Sequence, residues 1–307
     1  MKVVVAGGTG FIGSHVAARL AARGDEVTVM GRRPASGDDP IAIEGMPRLV
    51  ADYTSAALTP ALFAGFDAVV FAAGNDIRHV AADDEDAAFW DRVQADGVPR
   101  FAALAKRAGV GRFVQIGSYY HQLHPEWAAT IPYVAARKAA DDGARALTDD
   151  AFAAITLNPP SIVGVPPGRG LRRFGRMISW ARGELAEPGL YAPSGGTNYM
   201  SVHSLAQAVE GALDAGIPGR AYLIGDENLT YREYFQLLAD AAGSSVRIEE
   251  RDEEHPYQPD RFIVQGRGRV IAYEPPADEV GLLGYDRGDV RRALEEIVRA
   301  SDAAVRA

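Results

Sequence analysis

Three glycines spaced by threes, Gly7, Gly10 and Gly13, lie within Gly7-Gly8-Thr9-Gly10-Phe11-Ile12-Gly13. The apolar run Val3-Val4-Val5-Ala6 precedes them, and Ser14-His15-Val16-Ala17-Ala18-Arg19-Leu20, with helical amphipathic spacing, follows. Glycine alone marks only a turn. Between a strand and a helix, this spacing marks a dinucleotide site. Backbone N–H groups of Thr9, Gly10, Phe11 and Ile12 and the positive end of the helix then face a pyrophosphate. A side chain at Gly10 or Gly13 would block that approach or the packing of helix on strand.

A chain of 307 residues that is 47% hydrophobic has material for one large α/β domain with an appendage, or for two domains. It contains no cysteine, which excludes disulfides and thiolate zinc sites. No apolar run approaches the roughly eighteen residues of a membrane span, and the chain opens on a strand pattern. A soluble, cytoplasmic protein is expected. The formal net charge of −9 argues against nucleic-acid binding, which needs a basic excess. Lysine occurs only at Lys2, Lys106 and Lys138; every other basic side chain apart from histidine is arginine.

Apolar runs at 26–30, 48–51, 68–72, 112–116 and 152–157 alternate with helical patterns at 14–22, 55–63, 86–108 and 132–147. That alternation predicts an α/β fold with a doubly wound parallel sheet. Proline and glycine then crowd 166–170 and 192–196, with a helix expected over 171–182 between them. Further expectations are a helix over 204–215, a strand over 220–224, and a helix to Ala242 opened by the capping-box spacing of Thr230 and Glu233. Residues 1–164, completed by about 202–225, are expected to form the dinucleotide-binding core. Residues 165–201 and 226–307 are expected to form a smaller α/β substrate-binding region. The charge run Asp83–Asp86 reads as a solvated helix start.

In such a sheet the residue ending the second strand meets the adenosine ribose, and a carboxylate there selects NAD. This strand ends in Gly31-Arg32-Arg33. Two guanidiniums and no carboxylate favour the 2′-phosphate of NADP, with NAD as the alternative. Asp52 is placed to accept from the adenine amino group, or equally to cap its own loop.

These residues, with Phe71-Ala72-Ala73-Gly74, Arg112–Ser118, Pro132-Tyr133, Pro159-Pro160, Ser201-Val202-His203 and Gly225–Thr230, resemble the extended short-chain dehydrogenase/reductases, also described as NAD(P)-dependent epimerase/dehydratase-like proteins. The resemblance spans nearly the whole chain and implies a Rossmann core. It implies cofactor contacts from Tyr53, Ala72, Ala73, Gly74, Gln94, Pro160 and Ile162. It also implies a catalytic serine, a tyrosine and a lysine four residues after the tyrosine. Ser118 matches the serine, which hydrogen-bonds the substrate oxygen, and Tyr133 matches the general acid/base. A phenol titrates near 10, so the tyrosine needs positive charge beside it. Here Arg137 stands four residues on and Lys138 five. Helical geometry places Arg137 about 40° round from Tyr133 and Lys138 about 140° away. A π-bulge would instead bring Lys138 to the cleft.

Asn75, Tyr119, Tyr120 and His121 fall where substrate contacts are expected, with Arg172 a candidate from the later helix. His121 and His124 lack a third ligand, so no metal is expected. Gly195–His203 contains no basic residue before His203, and Asn158 stands where an arginine commonly precedes the proline. Both features lean away from a diphosphate, although Arg169, Arg172, Arg173 and Arg176 could supply cations. The leading expectation is therefore an NADP-dependent oxidoreductase acting on a carbonyl or secondary alcohol of a small, partly apolar molecule. A nucleotide-sugar epimerase or dehydratase is the alternative, and a non-catalytic NADP(H)-sensing protein a third. The resemblance also makes a homodimer an expectation.

Overall fold

The computed structural model describes residues 1–37, 39–77 and 87–306. In chain order the strands are β1 (Lys2–Ala6), β2 (Glu26–Gly31), β3 (Arg48–Val50), β4 (Ala68–Phe71), β5 (Arg112–Ile116), β6 (Ala153–Asn158), β7 (Ser161–Val163), β8 (Tyr191–Pro193), β9 (Gly196–Ser201), β10 (Ala221–Leu223), β11 (Glu227–Thr230) and β12 (Glu249–Arg251). The chain divides into two units. The first comprises Met1–Pro159, Leu205–Ile224 and Pro276–Tyr285; the second comprises Pro160–Ser204, Gly225–Pro275 and Asp286–Ala307.

The first unit holds a seven-stranded sheet in the order β10-β6-β5-β4-β1-β2-β3, and every pairing is parallel. The chain therefore has a Rossmann-like α/β fold. Val3, Val4, Val5 and Ala6 are fully buried, as expected for a central parallel strand covered on both faces. Rings of Tyr53, Phe63, Phe71, Phe101 and Phe113 meet edge to face, tilted or, for Phe71 and Phe113, stacked, with Phe63 and Phe101 centred 5.0 Å apart at 86°. A core ring of this kind stabilises by roughly 3–5 kcal/mol relative to alanine. The strand order reverses between β1 and β4, and the carboxyl ends of strands flanking such a reversal form the ligand crevice of open α/β sheets.

Helices of this unit are α1 (Phe11–Arg23), α2 (Ala87–Trp90), α3 (Gly97–Arg107), α4 (Tyr120–Leu123), α5 (Pro132–Arg145), α7 (Val202–Ala215, from Leu205 on) and α9 (Ala277–Leu283). Two expected helices differ. The pattern over 55–63 yields only a 3₁₀ turn, Pro60–Phe63, because Asp52 folds its loop onto Thr54 and Thr59 is extended before Pro60. The pattern over 86–108 is split by a π turn at Asp91–Ala95. A Cβ at Gly97 would collide with the Arg92 carbonyl, so only glycine fits where α3 starts. The run Asp83–Asp86 lies outside the described residues.

In the second unit β9 pairs with β7 in parallel and with β11 antiparallel, and β8 pairs with β12. α6 (Arg169–Ala181), α8 (Tyr231–Ala241) and α10 (Val290–Arg306) enclose a core that includes Trp180, Phe235, Leu238, Leu294 and Ile297. Thr230 and Glu233 form the capping box that opens α8. His255 is fully buried among the rings of Trp180, Tyr191, Phe235 and Tyr257. Burial lowers its pKa to about 4, so the imidazole is neutral near pH 7. Among the described residues no helix is long and apolar enough to cross a membrane.

Candidate active site

The turn after β1 is built by close backbone approach. Gly7 has φ +78°, and a Cβ on it would lie 2.7 Å from backbone atoms of Ala72 and Ala73, just past β4. A Cβ at Gly13 would run into the Gly7 carbonyl. Gly10, by contrast, is the N-cap of α1 and has no side-chain cap, and the first turn holds no acidic residue. The leading amides of α1 therefore keep their attraction for an anion. Thr9, Phe11 and Ile12 complete this turn, against which Ala72 and Ala73 pack.

At the end of β2, Gly31 is followed by exposed Arg32 and Arg33. Asp52 accepts from the N–H and hydroxyl of Thr54. Burial opposes its ionisation, but those hydrogen bonds and the charges of Arg32 and Arg92 outweigh burial and hold its carboxyl below the usual range. Asp52 thus caps its own loop. Tyr53, expected as a cofactor contact, is placed in the core. Its ring belongs to the aromatic core, its hydroxyl donates to the Val93 carbonyl at 2.8 Å, and burial pushes its pKa up to about 12.

α5 opens with Pro132, whose missing N–H costs nothing in a first turn. Tyr133 follows and is buried, its ring 5.1 Å from Trp90 and 6.2 Å from Tyr120. The helix runs without a bulge to Arg145, and Arg137 therefore turns inward. The residue is 6% exposed, and its guanidinium donates to the carbonyls of Ile116 (3.1 Å) and Gly117 at the carboxyl end of β5. Its Nε is buried and has no hydrogen-bond partner among the described residues. A Cβ at Gly74 would lie 2.8 Å from Arg137 Nη1, so the glycine after β4 makes room for the guanidinium. Lys138 is corrected: its side chain is 44% exposed and pairs with Asp142 on the same helix. The π turn occurs elsewhere, at Asp91–Ala95, and carries fully buried Gln94. Gln94 donates to the Asn75 carbonyl at 2.8 Å, and its Oε1 has no partner among the described residues. Asn75 in turn donates to the Tyr53 hydroxyl at 3.3 Å.

Ser118 is held by a support that sequence reading missed. Its N–H donates to Asn158 Oδ1 at 2.9 Å, and the Asn158 amide donates to Gln122 and to Asp141. Asp141, 1% exposed, accepts from His121 Nε2 at 2.8 Å and from Arg145. Burial opposes ionisation of Asp141, but the hydrogen bonds from His121 and Arg145 prevail and hold the carboxyl well below the usual range. His121, expected among the substrate contacts, is a member of this buried network. His124 stacks on Trp127 at 4.1 Å instead, so the two histidines have separate partners. Tyr119 is buried and tilted against Tyr120 at 4.2 Å. No spacing signal joins residues 118, 141 and 158; a polar residue ending β6 was the only hint.

Pro160, Ile162 and Arg172 belong to the second unit. Ile162 pairs with Met200 in the three-stranded sheet. Arg172, Arg173 and Arg176 lie on α6 and are exposed.

The donor set of the first unit suits a nicotinamide dinucleotide. It offers an uncapped helix start behind a turn that excludes side chains, and buried polar atoms on Arg137 and Gln94 without partners among the described residues. The model of the NAD dependent epimerase/dehydratase family matches residues 3–225. The chain belongs to this family. A stretch of 50 residues is 48% identical to the Homo sapiens epimerase family protein SDR39U1, spanning 15% of this chain and 17% of the human one. Among solved structures, a UDP-glucose-4-epimerase from Stenotrophomonas maltophila with bound NAD and formylated UDP-arabinopyranose is 20% identical, with a TM-score of 0.75 over 100% of this chain and 99% of its own. A UDP-N-acetylglucosamine 4-epimerase from Methanobrevibacter ruminantium M1 is 16% identical, with a TM-score of 0.75 over 99% and 98%. At these identities the structural likeness speaks for the epimerase/dehydratase fold.

Proposed function

We propose that this member of the epimerase/dehydratase family catalyses hydride transfer at a carbinol or carbonyl carbon with NADP, Tyr133 acting as general acid/base. The observation that carries the reading is the buried Arg137 guanidinium, four residues from Tyr133 and bonded to the β5 carbonyls beside Ser118. A bound nicotinamide supplies the hydride acceptor and donor. Tyr133 takes or returns the proton of the substrate hydroxyl, and Ser118 hydrogen-bonds the same oxygen. Arg137 provides a fixed positive charge for the phenolate and for the ribose hydroxyls. Because arginine stays protonated, it does not relay the proton. Ala72, Ala73, Gly74 and Gln94 line the cofactor side, and Gly31, Arg32 and Arg33 favour the 2′-phosphate.

Family membership favours an epimerase or dehydratase reaction over net oxidoreduction, with transient oxidation of a nucleotide-linked sugar. Net oxidoreduction of a small alcohol or ketone is the second reading, favoured by the absence of a basic residue from 195–202. The test supplies NADP and a panel of nucleoside-diphosphate sugars and secondary alcohols. A converted sugar without accumulating NADPH supports the first reading; stoichiometric NADPH supports the second. In either case Tyr133→Phe is expected to lower turnover by roughly 10²–10⁴-fold with cofactor binding retained. An unchanged rate would remove tyrosine acid/base catalysis.

A further inference from the structure

The end of β2 carries a third arginine that the Gly31-Arg32-Arg33 sequence does not reveal. Arg48, at the start of β3, pairs in register with Val29, so its side chain shares a sheet face with Val29 and Gly31. A Cβ at Gly31 would lie 3.3 Å from Arg48 Nη1, 3.0 Å from Thr9 Cγ2 and 3.2 Å from Thr9 Oγ1. Arg48 therefore borders the place where a side chain ending the second strand would begin, the position from which a carboxylate reads the ribose of NAD. The Arg48 side chain is only 10% exposed. Its Nη2 donates to Asp39 Oδ2, while Nε and Nη1 are buried without a hydrogen-bond partner among the described residues. Buried donors on a permanent cation are costly to leave unmet, and a guanidinium is shaped to hold a phosphate through two of them.

We propose that Arg48 reads the adenosine 2′-phosphate of NADP, with the Asp39 carboxylate occupying the guanidinium until the phosphate replaces it. The inference rests on the NADP reading above. Asp39 shows that an anionic oxygen fits beside this guanidinium, and its own backbone tie, accepting from the Ser36 N–H at 3.1 Å, lies in the loop that follows Arg32 and Arg33. A dianionic phosphate competes favourably with a monoanionic carboxylate for the same donors. Arg32 and Arg33, both exposed, supply steering charge, and Arg48 supplies the fixed contact.

Calorimetric titration of NADPH, NADH, AMP and adenosine 2′,5′-bisphosphate into the full chain tests this without turnover. Wild type is expected to prefer NADPH over NADH and the bisphosphate over AMP. Arg48→Met should weaken NADPH and the bisphosphate about 10- to 100-fold and leave NADH within about twofold. Asp39→Asn should tighten NADPH, and that gain should vanish in the Asp39→Asn/Arg48→Met double variant. Arg48→Lys, which keeps the charge but loses the fork, should fall between wild type and Arg48→Met and stands in if the latter does not fold. Equal losses for NADPH and NADH, or no loss for either, would overturn the Arg48 proposal. A wild type that prefers NADH would overturn the NADP reading itself, and that failure is visible before any variant is made.

Discussion

The two units spend their buried polar groups differently. In the first, Arg48, Gln94, His121 and Arg137 each keep a buried nitrogen or oxygen without a partner among the described residues. In the second, several buried polar groups are bonded within the unit. Asp226 accepts from the N–H groups of Gly288 and Asp289, and Gln265 donates to the Gly196 carbonyl and the Tyr231 hydroxyl. Among the described residues, His255 Nε2 and Asp260 Oδ1 there lack a partner. Unmet polarity is expensive in a unit that only has to fold, and useful in one that awaits a ligand. The contrast supports the proposal that the first unit recognises the dinucleotide.

The largest test exchanges neighbouring cations. Arg137→Met should lower turnover about 100-fold or more and weaken cofactor binding, because it removes the charge beside Ser118 and Tyr133. Lys138→Met should change stability by no more than about 0.5 kcal/mol, since its exposed i,i+4 pair with Asp142 is screened by water. A loss confined to Lys138→Met would break the regular-helix account of the site.

Acid should reach the two units in separate windows. His255 has a folded pKa of about 4, below its unfolded value near 6.5. Between these values the unfolded chain binds more protons, so stability falls as pH is lowered. The contribution, up to about 3 kcal/mol, is complete above pH ~6.5 and is lost on descent toward pH ~4. Asp141 is also depressed, so its contribution is present above pH ~4 and lost below. Denaturant unfolding across pH should show both windows, and His255→Phe should flatten the upper one alone. A change in the lower window instead would contradict this assignment.

The smallest effect concerns the capping box. Thr230→Ala should destabilise the chain by about 1 kcal/mol in thermal unfolding and leave cofactor binding unchanged.

Periodicity and turn chemistry made much of the first unit legible: the strands, the glycine turn and the inward register of Arg137 all rest on local spacing. The helix expected over 55–63 failed because Asp52 and Pro60 set local geometry that apolar spacing does not see. Gln94 was expected near the cofactor, but the π turn that buries it depends on Gly97 admitting the Arg92 carbonyl. Arg48 was invisible because its meaning depends on the side chain Gly31 lacks. The Ser118 support was invisible for the same kind of reason: Asn158 and Asp141 meet it only once β5, β6 and α5 are assembled.

The π turn has a consequence for how chains of this kind are compared. It uses one more residue than an α-helix needs for the same advance, so α3 continues in a register rotated by about 100° from that of α2. Chain length, as much as residue identity, therefore encodes the position of Gln94. A relative shorter by one residue between Trp90 and Gly97 would keep every neighbouring letter of the alignment and present a different side chain to Asn75.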